Sequence, residues 1–355
     1  MNRTCSAPLL AMALMTAACV DPVTVERDWP AMGRTAQVEV FMTSSGAAEA
    51  TLAEMQDAME RVAATMNPSD PDSELSRLNR EAENAFYRVS DPDLYRCLLL
   101  ALDYARASGG AYDPTAAPLR RLYDRDSGPP SAFEVGAALA RVGWASVIQA
   151  PEARAFRFRH PGTELDLGVV AEGFALDAAA RAFSRIGSRG GRLRLGAQTY
   201  VWGEPPAGGD WRVEIADPRT PGRSLGRVRT QSRGISVAGR AEGDEPGPID
   251  PRNGLPATGE VAAAIAIAHT AADAAAMSSA LYVAGYKRGA EILEKTRNLE
   301  VILLVEGNGE PYVLASASLA GRFEPSPELS EEVGGRVRYL LLPLEIEATD
   351  LPLAR

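Results

Sequence analysis

The sequence predicts an α/β (α+β) fold in which helices flank a mixed central sheet. Residues 35–42 alternate between polar and apolar side chains, as a half-buried strand does, and residues 261–268 form a continuous apolar run typical of a buried strand. Apolar residues recur at helical spacing between them: Leu52, Met55, Met59 and Val62. No repeat and no linker divides the chain, so we expect a single domain over residues 31–345.

Helix ends in the first half of the chain are marked by proline, glycine and capping residues. Pro68 ends the first helix, because proline cannot continue the hydrogen bonding of a helix interior. A second helix covers residues 93–107. Ser131 and Glu134 form a capping box, which opens a third helix that ends near Gly143. Strands are predicted at 155–159, 163–167, 191–195 and 211–216.

The second half begins with a stretch of turn-forming residues. Residues 204–258 are rich in Gly, Pro, Asp and Arg, so they are expected to form turns and exposed loops. Thr270 then caps a helix over 271–284, and a helix of mixed charge follows over 286–297. The last strands are predicted at 300–305, 311–315 and 337–342.

Composition excludes several classes of function. The formal net charge of −10 provides no basic face for nonspecific nucleic-acid binding, so no nucleic acid is expected as a partner. Aromatic residues make up 6% of the chain, which is too few for a platform that stacks single-stranded bases. His160 and His269 are the two histidines of the whole sequence, so a multi-histidine metal site is excluded.

The N-terminus has the pattern of an export signal. An apolar core over residues 7–15 is too short to span a bilayer as a helix. Cys19 follows two alanines, which is similar to the bacterial lipobox, whose cysteine carries lipid. We therefore expect a lipoprotein signal over 1–18 and lipid attachment at Cys19; a plain cleaved signal with an incidental cysteine is the alternative. Residues 19–30 are expected to form a polar tether and residues 346–355 a tail.

Three acidic, glycine-bearing segments contain the side chains that could support chemistry. They are MNPSDPDSELSRLNR (66–80), GGAYDPTAAPL (109–119) and LDLGVVAEGFALD (165–177). Each has a purely structural interpretation when it is taken alone. Asp113 could belong to a turn, and Asp166 could cap a strand-to-helix junction, with Glu172 solvated on the first turn of the helix.

Taken together, the order and spacing of these segments resemble the bacterial flavin transferases, an ApbE-like family that attaches FMN from FAD through a phosphoester bond to a threonine or serine of a target protein. The resemblance extends along most of the chain. Four further stretches match motifs of that family: Met32-Gly33, Trp211–Pro218, 249–254 and 271–285. The resemblance implies the fold of that family and the transfer of FMN from FAD.

The resemblance also implies roles for individual residues. Six residues would contact FAD: Met32, Ala111, Tyr112, Asp113, Asp166 and Glu172. Asp166 and Glu172 would in addition be catalytic. Mg²⁺ would offset the charge of the pyrophosphate and support the departure of AMP. Its ligands would be the backbone carbonyl of Val169, Ser279 and a carboxylate, for which Asp273 is the candidate.

The alignment of the predicted helix over 271–284 with the family motif does not support Asp273 as a metal ligand. Aligned without gaps, the family's aspartate falls on Ala275 and its threonine on Ser279. Asp273 lies two residues earlier, about 200° around the helix. It could instead serve the start of the helix, as the third residue after the cap Thr270. Other departures from the family pattern are Ser69, Val237, Gly196-Ala197-Gln198 and Gly247-Pro248.

These departures leave three functions open. The first is an exported, membrane-anchored enzyme facing the periplasm, which transfers FMN to an acceptor protein carrying a D-x-x-T-G-A-T/S motif. The second is a flavin-binding lipoprotein of the same fold that does not catalyse transfer. The third is a Mg²⁺-dependent FAD pyrophosphatase, in which water replaces the acceptor hydroxyl.

Overall fold

The structure, a computed structural model, describes residues 23–42, 45–123, 128–183, 189–240, 248–296, 298–307 and 309–340. The predicted signal over 1–18, the predicted lipid attachment at Cys19 and the predicted tail over 346–355 lie outside these residues. The helices in the described ranges are α1 (Ser45–Met66), α2 (Glu74–Glu81), α3 (Pro92–Ala107), α4 (Ala117–Tyr123), α5 (Ala132–Leu139), α6 (Gly168–Phe183), α7 (Ala271–Lys295) and α8 (Pro327–Glu332). Short 3₁₀ turns cover Trp144–Ser146, Pro151–Ala153 and Ala317–Leu319.

The strands in the same ranges belong to one large and three small sheets. They are β1 (Val23–Ala31), β2 (Arg34–Met42), β3 (Tyr87–Arg88), β4 (Val147–Ala150), β5 (Ala155–Phe158), β6 (Gly190–Leu195), β7 (Gln198–Gly203), β8 (Trp211–Ala216), β9 (Ser224–Thr230), β10 (Arg233–Gly239), β11 (Ile249–Asp250), β12 (Leu255–Pro256), β13 (Val261–Ala268), β14 (Glu300–Val305), β15 (Tyr312–Ser316), β16 (Phe323–Pro325) and β17 (Val337–Leu340).

The large sheet has nine strands in the order β1-β2-β6-β7-β10-β13-β14-β15-β17. Its neighbouring strands are antiparallel, except that β15 and β17 pair in parallel. The small sheets have the orders β16-β9-β8, β3-β5-β4 and β11-β12. The predicted α/β fold, with a mixed central sheet and flanking helices, is confirmed.

The large sheet is covered on both faces, as β13 illustrates. Ala264 and Ala266 of this strand pack with residues of α7, whereas Ile265 and Ile267 pack with residues of β8 and β9. Successive side chains of a strand point to opposite faces, so a strand that is buried on both faces has a continuous apolar sequence. Helices α1, α3 and α6 pack on the part of the sheet formed by β2 and β6.

The helix starts follow the capping signals of the sequence. Ser131 and Glu134 form the predicted capping box at the start of α5. Thr270 caps α7 by accepting the backbone N–H of Asp273 at 3.0 Å. Gly285, with a φ of 72°, interrupts α7 where the sequence predicts one helix to end and the next to begin. No helix in the described parts of the chain is long and apolar enough to cross a membrane.

The strand predicted at 163–167 is wrong, and Asn79 of α2 explains why. Its side-chain amide donates to the carbonyl of Leu165 and accepts from the Leu165 N–H, both at 2.9 Å. These two bonds satisfy the backbone as a neighbouring strand would. Leu165 and Leu167 are buried, which gives the segment the alternating pattern of a strand without a strand as partner.

Two segments that the sequence predicts as connections contain strands. Much of the predicted tether over 19–30 belongs to β1, at the edge of the large sheet. An edge strand tolerates polar side chains and a proline such as Pro30, which hides it in the sequence. The predicted loops over 204–258 contain β9 and β10 beside the predicted strand at 211–216. Glycine and arginine within β9 and β10 conceal the apolar alternation.

Candidate active site

The turn between β1 and β2 presents Met32 in a strained conformation. Ala31 pairs with Arg34, so Met32 and Gly33 are the two turn residues. Their φ angles are 50° and 75°, and the favoured two-residue hairpin turn with positive φ at both positions is type I′. Glycine adopts this conformation freely, but it costs a residue with a Cβ about 1–2 kcal/mol. The hairpin therefore holds Met32 in an unfavourable backbone conformation at the wall of a cavity.

This cavity has a volume of about 390 Å³ and lies between the hairpin, the end of α1 and the start of α6. Its lining residues are Met32, Gly33, Ala63, Met66, Asn67, Pro68, Asp166, Gly168, Ala171 and Glu172. The fold thus brings together Met32, Asp166 and Glu172, three of the six residues predicted to contact FAD. The predicted segment 66–80 contributes Met66, Asn67 and Pro68.

Asp166 is held from several sides at the start of α6. Its backbone N–H donates to the carbonyl of Pro114 at 2.7 Å, and its Oδ1 accepts the N–H of Gly168 at 2.8 Å. Its Oδ2 lies 2.5 Å from Nη2 of Arg120 on α4. The guanidinium of Arg120 also covers Gly168, because a Cβ at that glycine would come within 2.8 Å of Nη1. Through its hydrogen bond to Pro114, Asp166 therefore joins the segment 165–177 to the segment 109–119.

Glu172, on the first turns of α6, is paired in a similar way. Its Oε1 accepts from Nε of Arg34 at 3.0 Å, and its side chain is 13% exposed. Its Oε2 lies 3.4 Å from Nε2 of Gln198, which also donates to the carbonyl of Val169 at 2.7 Å. Both carboxylates predicted to be catalytic are thus bound to arginines that flank the cavity.

The other three predicted FAD contacts are not among the residues that line this cavity. Ala111 and Tyr112 are buried, and burial raises the pKa of the Tyr112 phenol well above its usual value. Burial also raises the pKa of Asp113, although its hydrogen bonds from Thr115 and from the N–H of Trp144 oppose that shift. Asp113 therefore forms the turn that the structural interpretation of the sequence describes, and this turn positions Pro114 against Asp166.

The start of α7 is fixed against α6 by Asp177, a residue that sequence reasoning did not single out. Asp177 is buried, and its two carboxylate oxygens accept the N–H groups of Ala271 at 2.8 Å and Ala272 at 3.1 Å. Burial raises its pKa to about 7, against the effect of these two hydrogen bonds. Gly173 allows the close contact of the helices, since a Cβ there would lie 2.7 Å from backbone atoms of Ala271.

The residues predicted to bind Mg²⁺ do not form a ligand set. Asp273 Oδ1 accepts from the hydroxyl of Tyr104 on α3 at 3.0 Å, and the backbone N–H of Asp273 donates to the cap Thr270. Ser279 is six residues farther along α7, about 9 Å along the helix axis, so one ion cannot reach both side chains. The carbonyl of Val169 already accepts from Gln198. Ala275, where the family's aspartate falls, is fully buried.

Other parts of the described chain offer no alternative metal centre. Among the described residues, no group of three or more His, Cys, Asp or Glu side chains is arranged to hold a metal ion. A groove of about 460 Å³ lies on the strand surface and is lined by four acids and two arginines, together with polar and apolar residues. The acids are Glu26, Asp28, Glu39 and Glu214.

Comparison with known proteins assigns this sequence to a family. A model of the ApbE family matches residues 32–303. The chain belongs to the ApbE family. A FAD:protein FMN transferase of Haemophilus influenzae is 27% identical over 330 residues, which cover 87% of this chain and 94% of that protein. One of Klebsiella pneumoniae is 28% identical over 300 residues, with coverages of 79% and 85%.

Solved structures of ApbE proteins share the fold. The flavin transferase ApbE from Vibrio cholerae superimposes with a TM-score of 0.76 at 22% identity, covering 85% of this chain and 99% of that chain. The apo form of the Pseudomonas stutzeri flavinyl transferase ApbE gives a TM-score of 0.74 at 21% identity, with coverages of 86% and 98%. At these identities the likeness shows a common fold.

Sequence reasoning missed the basic and amide groups of the site. Arg34 and Arg120 were not singled out, although each follows closely on a recognised motif, Met32-Gly33 and 109–119. Gln198 was noted as a departure from the family pattern and not as a contact. The signal that could have found the arginines is charge balance, because carboxylates in a partly buried cavity need partners.

Proposed function

We propose that this chain is a flavin transferase, which binds FAD in the cavity between the β1–β2 hairpin and α6 and transfers FMN to a threonine or serine of an acceptor protein. The observation that supports this most strongly is the convergence of Met32, Asp166 and Glu172 on one cavity from segments far apart in the sequence. Relatives that span most of the chain are named FAD:protein FMN transferases.

The proposed reaction is a phosphoryl transfer. The acceptor hydroxyl oxygen forms a bond to the phosphorus of the FMN half of FAD, and the bond from that phosphorus to the oxygen of AMP breaks. AMP leaves, and the hydroxyl proton passes to a carboxylate, for which Asp166 and Glu172 are the candidates lining the cavity. Such a reaction depends mainly on holding both reactants in line and on compensating phosphate charge.

The resemblance implies that Mg²⁺ assists this transfer, with FAD as the donor substrate. Because the predicted ligands do not come together, the proposal includes no step through a metal ion. Positive charge beside the cavity comes instead from Arg34 and Arg120, which are bound to Glu172 and Asp166.

We also propose that the protein is exported and anchored through Cys19, facing the periplasm, where an acceptor with a D-x-x-T-G-A-T/S motif would be modified. The apolar core followed by Ala17-Ala18-Cys19 supports this proposal. Replacing Cys19→Ser should release the protein from the membrane fraction of cells. Unchanged fractionation would contradict the lipid anchor.

A second candidate function is flavin binding without transfer. It is favoured by the ion pairs that already engage both candidate catalytic carboxylates and by the alanine at position 275. A third candidate, FAD hydrolysis, requires only that water replace the acceptor hydroxyl.

Intact-mass spectrometry distinguishes the three. The purified full chain is incubated with FAD and an acceptor carrying the motif, with Asp166→Asn and Glu172→Gln as test variants. Glu164→Gln is the matched control, because Glu164 pairs with Arg121 two residues before Asp166 and does not line the cavity. Transfer predicts an FMN adduct on the acceptor that both test variants reduce and the control retains. AMP release without an adduct would indicate hydrolysis, and bound FAD with neither product would indicate a binding protein.

A further inference from the structure

The side chain of Gln198, at the start of β7, contacts the carbonyl of Val169, which the resemblance implies as a metal ligand. It is 1% exposed, and its Nε2 lies 2.7 Å from the carbonyl oxygen of Val169 and 3.4 Å from Oε2 of Glu172. Both neighbours are acceptors, so the amide group must present its N–H₂ and not its oxygen to them. Gln198 thus engages one predicted metal ligand, the Val169 carbonyl, together with a carboxylate that lines the cavity.

The amide competes with a cation for these acceptors. A Mg²⁺ ion bound to the Val169 carbonyl would lie roughly 2.1 Å from its oxygen. That oxygen has a second lone pair, so the hydrogen bond from Nε2 of Gln198 at 2.7 Å does not by itself exclude an ion. The N–H groups of Gln198 carry partial positive charge, however, which opposes a cation beside them. Gln198 Oε1 is buried without a hydrogen-bond partner among the described residues, and a rotated amide would offer this oxygen as a ligand.

Two guanidinium groups pair with the carboxylates that line the cavity. Arg34 reaches Glu172 from the hairpin side and packs over Gly196, whose added Cβ would lie 2.9 Å from Cδ of Arg34. Arg120, on α4, reaches Asp166 and covers Gly168. The two arginine side chains are 52% and 41% exposed, so N–H groups remain accessible on each.

Guanidinium groups suit this task because of their shape. A guanidinium is always charged and presents five donors in a plane, so one edge can bind a carboxylate while another binds a phosphate. Charge-assisted bonds between arginine and phosphate are among the stronger hydrogen bonds in proteins. In this arrangement Asp166 and Glu172 hold the two arginines in position.

We infer that this chain holds the diphosphate of a flavin dinucleotide without a divalent cation: Arg34 and Arg120 provide the positive charge, and the amide of Gln198 engages the Val169 carbonyl in place of the cation. The inference rests on the proposed binding of FAD and concerns how the same cavity compensates the diphosphate.

The first test needs no variant. FAD is titrated into the purified full chain by calorimetry, once in excess EDTA and once in excess MgCl₂. The inference predicts dissociation constants that agree within about twofold, and no shift of the thermal midpoint by MgCl₂ beyond that caused by matched ionic strength with NaCl. Binding in MgCl₂ alone would overturn the inference and leave FAD binding intact. An absence of binding in both buffers would overturn this inference and the proposed FAD binding together.

Variants test the two parts of the inference separately. Arg34→Gln and Arg120→Gln should each weaken FAD at least about tenfold in EDTA, while riboflavin, which lacks phosphate, changes by less than about twofold. Arg121→Gln is the control, because Arg121 is on the same helix and pairs with Glu164 at 2.5 Å. Equal losses for FAD and riboflavin would overturn the role of the arginines.

Gln198→Glu replaces the amide by an acid of the same shape beside Glu172 and the Val169 carbonyl. The resulting three oxygens suit Mg²⁺, so this variant should bind FAD more weakly than wild type in EDTA and recover in MgCl₂. If wild type and Gln198→Glu respond to Mg²⁺ equally, Gln198 does not replace the cation. Circular dichroism in EDTA checks whether the Gln198→Glu variant is folded. If the variant is unfolded, the titration of wild type with and without MgCl₂ decides whether a cation is needed.

Discussion

Replacing Asp177 by alanine removes both acceptors that hold the first turn of α7. Asp177 Oδ1 accepts the N–H of Ala271 at 2.8 Å, and Oδ2 accepts the N–H of Ala272 at 3.1 Å. Ala271 is 0% exposed and Ala272 is 1% exposed, so water cannot take the place of the carboxylate. Asp177→Ala therefore leaves two buried donors without partners.

The size of the effect follows from two known costs. Loss of an N-terminal cap costs about 0.5–2 kcal/mol, and a buried donor left unpaired costs about 1–3 kcal/mol. Thr270 still accepts the N–H of Asp273, so part of the cap remains. We expect the free energy of unfolding to fall by about 3 kcal/mol. FAD binding should weaken as well, because Glu172 lies on the helix that Asp177 joins to α7.

Urea denaturation followed by circular dichroism measures this loss. Asp103→Ala is the matched control, because Asp103 is a helical aspartate whose side chain is 71% exposed and pairs with Arg106 at 3.2 Å. The control should change stability by no more than about 0.5 kcal/mol. If Asp177→Ala changes stability by no more than the control, the reasoning about the α6–α7 junction is refuted.

Two further variants follow from the same geometry. Burial raises the pKa of Asp177 to about 7, so its contribution to stability is fully present below its unfolded pKa of about 4 and is lost as the pH rises through about 7. The stability advantage of wild type over Asp177→Asn in urea denaturation should therefore shrink between about pH 5 and about pH 8, and an advantage that grows would contradict this assignment. Met32→Gly relieves a φ of 50° and should leave stability unchanged or raise it by up to about 1 kcal/mol, while calorimetry shows weaker FAD binding. Unchanged FAD affinity would show that Met32 does not contact the ligand.

The sequence predicts the parts of the fold that depend on local patterns. The capping box at Ser131 and Glu134, the cap at Thr270 and the apolar run of β13 are each set by residues close together in the chain. The false strand at 163–167 has a long-range cause, since the side chain of Asn79 replaces a strand partner. Strand β1 was missed because an edge strand with one covered face needs few apolar residues.

The same distinction between local and long-range causes applies to the residues of the candidate site. The motifs predict that Met32, Asp166 and Glu172 lie together, and the cavity contains all three. The partners of the charged groups could not be predicted, because they depend on which helices meet. Asp273 accepts a hydrogen bond from Tyr104, which is 169 positions away in the sequence. Glu172 pairs with Arg34, which is 138 positions away. A motif can therefore indicate the residues of a site, whereas the charge balance of that site requires the three-dimensional structure.

A crystal structure of the protein grown with FAD in the presence of EDTA tests the central claim most directly. The account predicts the dinucleotide in the cavity lined by Met32, Asp166 and Glu172, with its diphosphate between the guanidinium groups of Arg34 and Arg120. Dinucleotide density in the larger groove beside Glu39 and Glu214, or a diphosphate distant from both arginines, would contradict it.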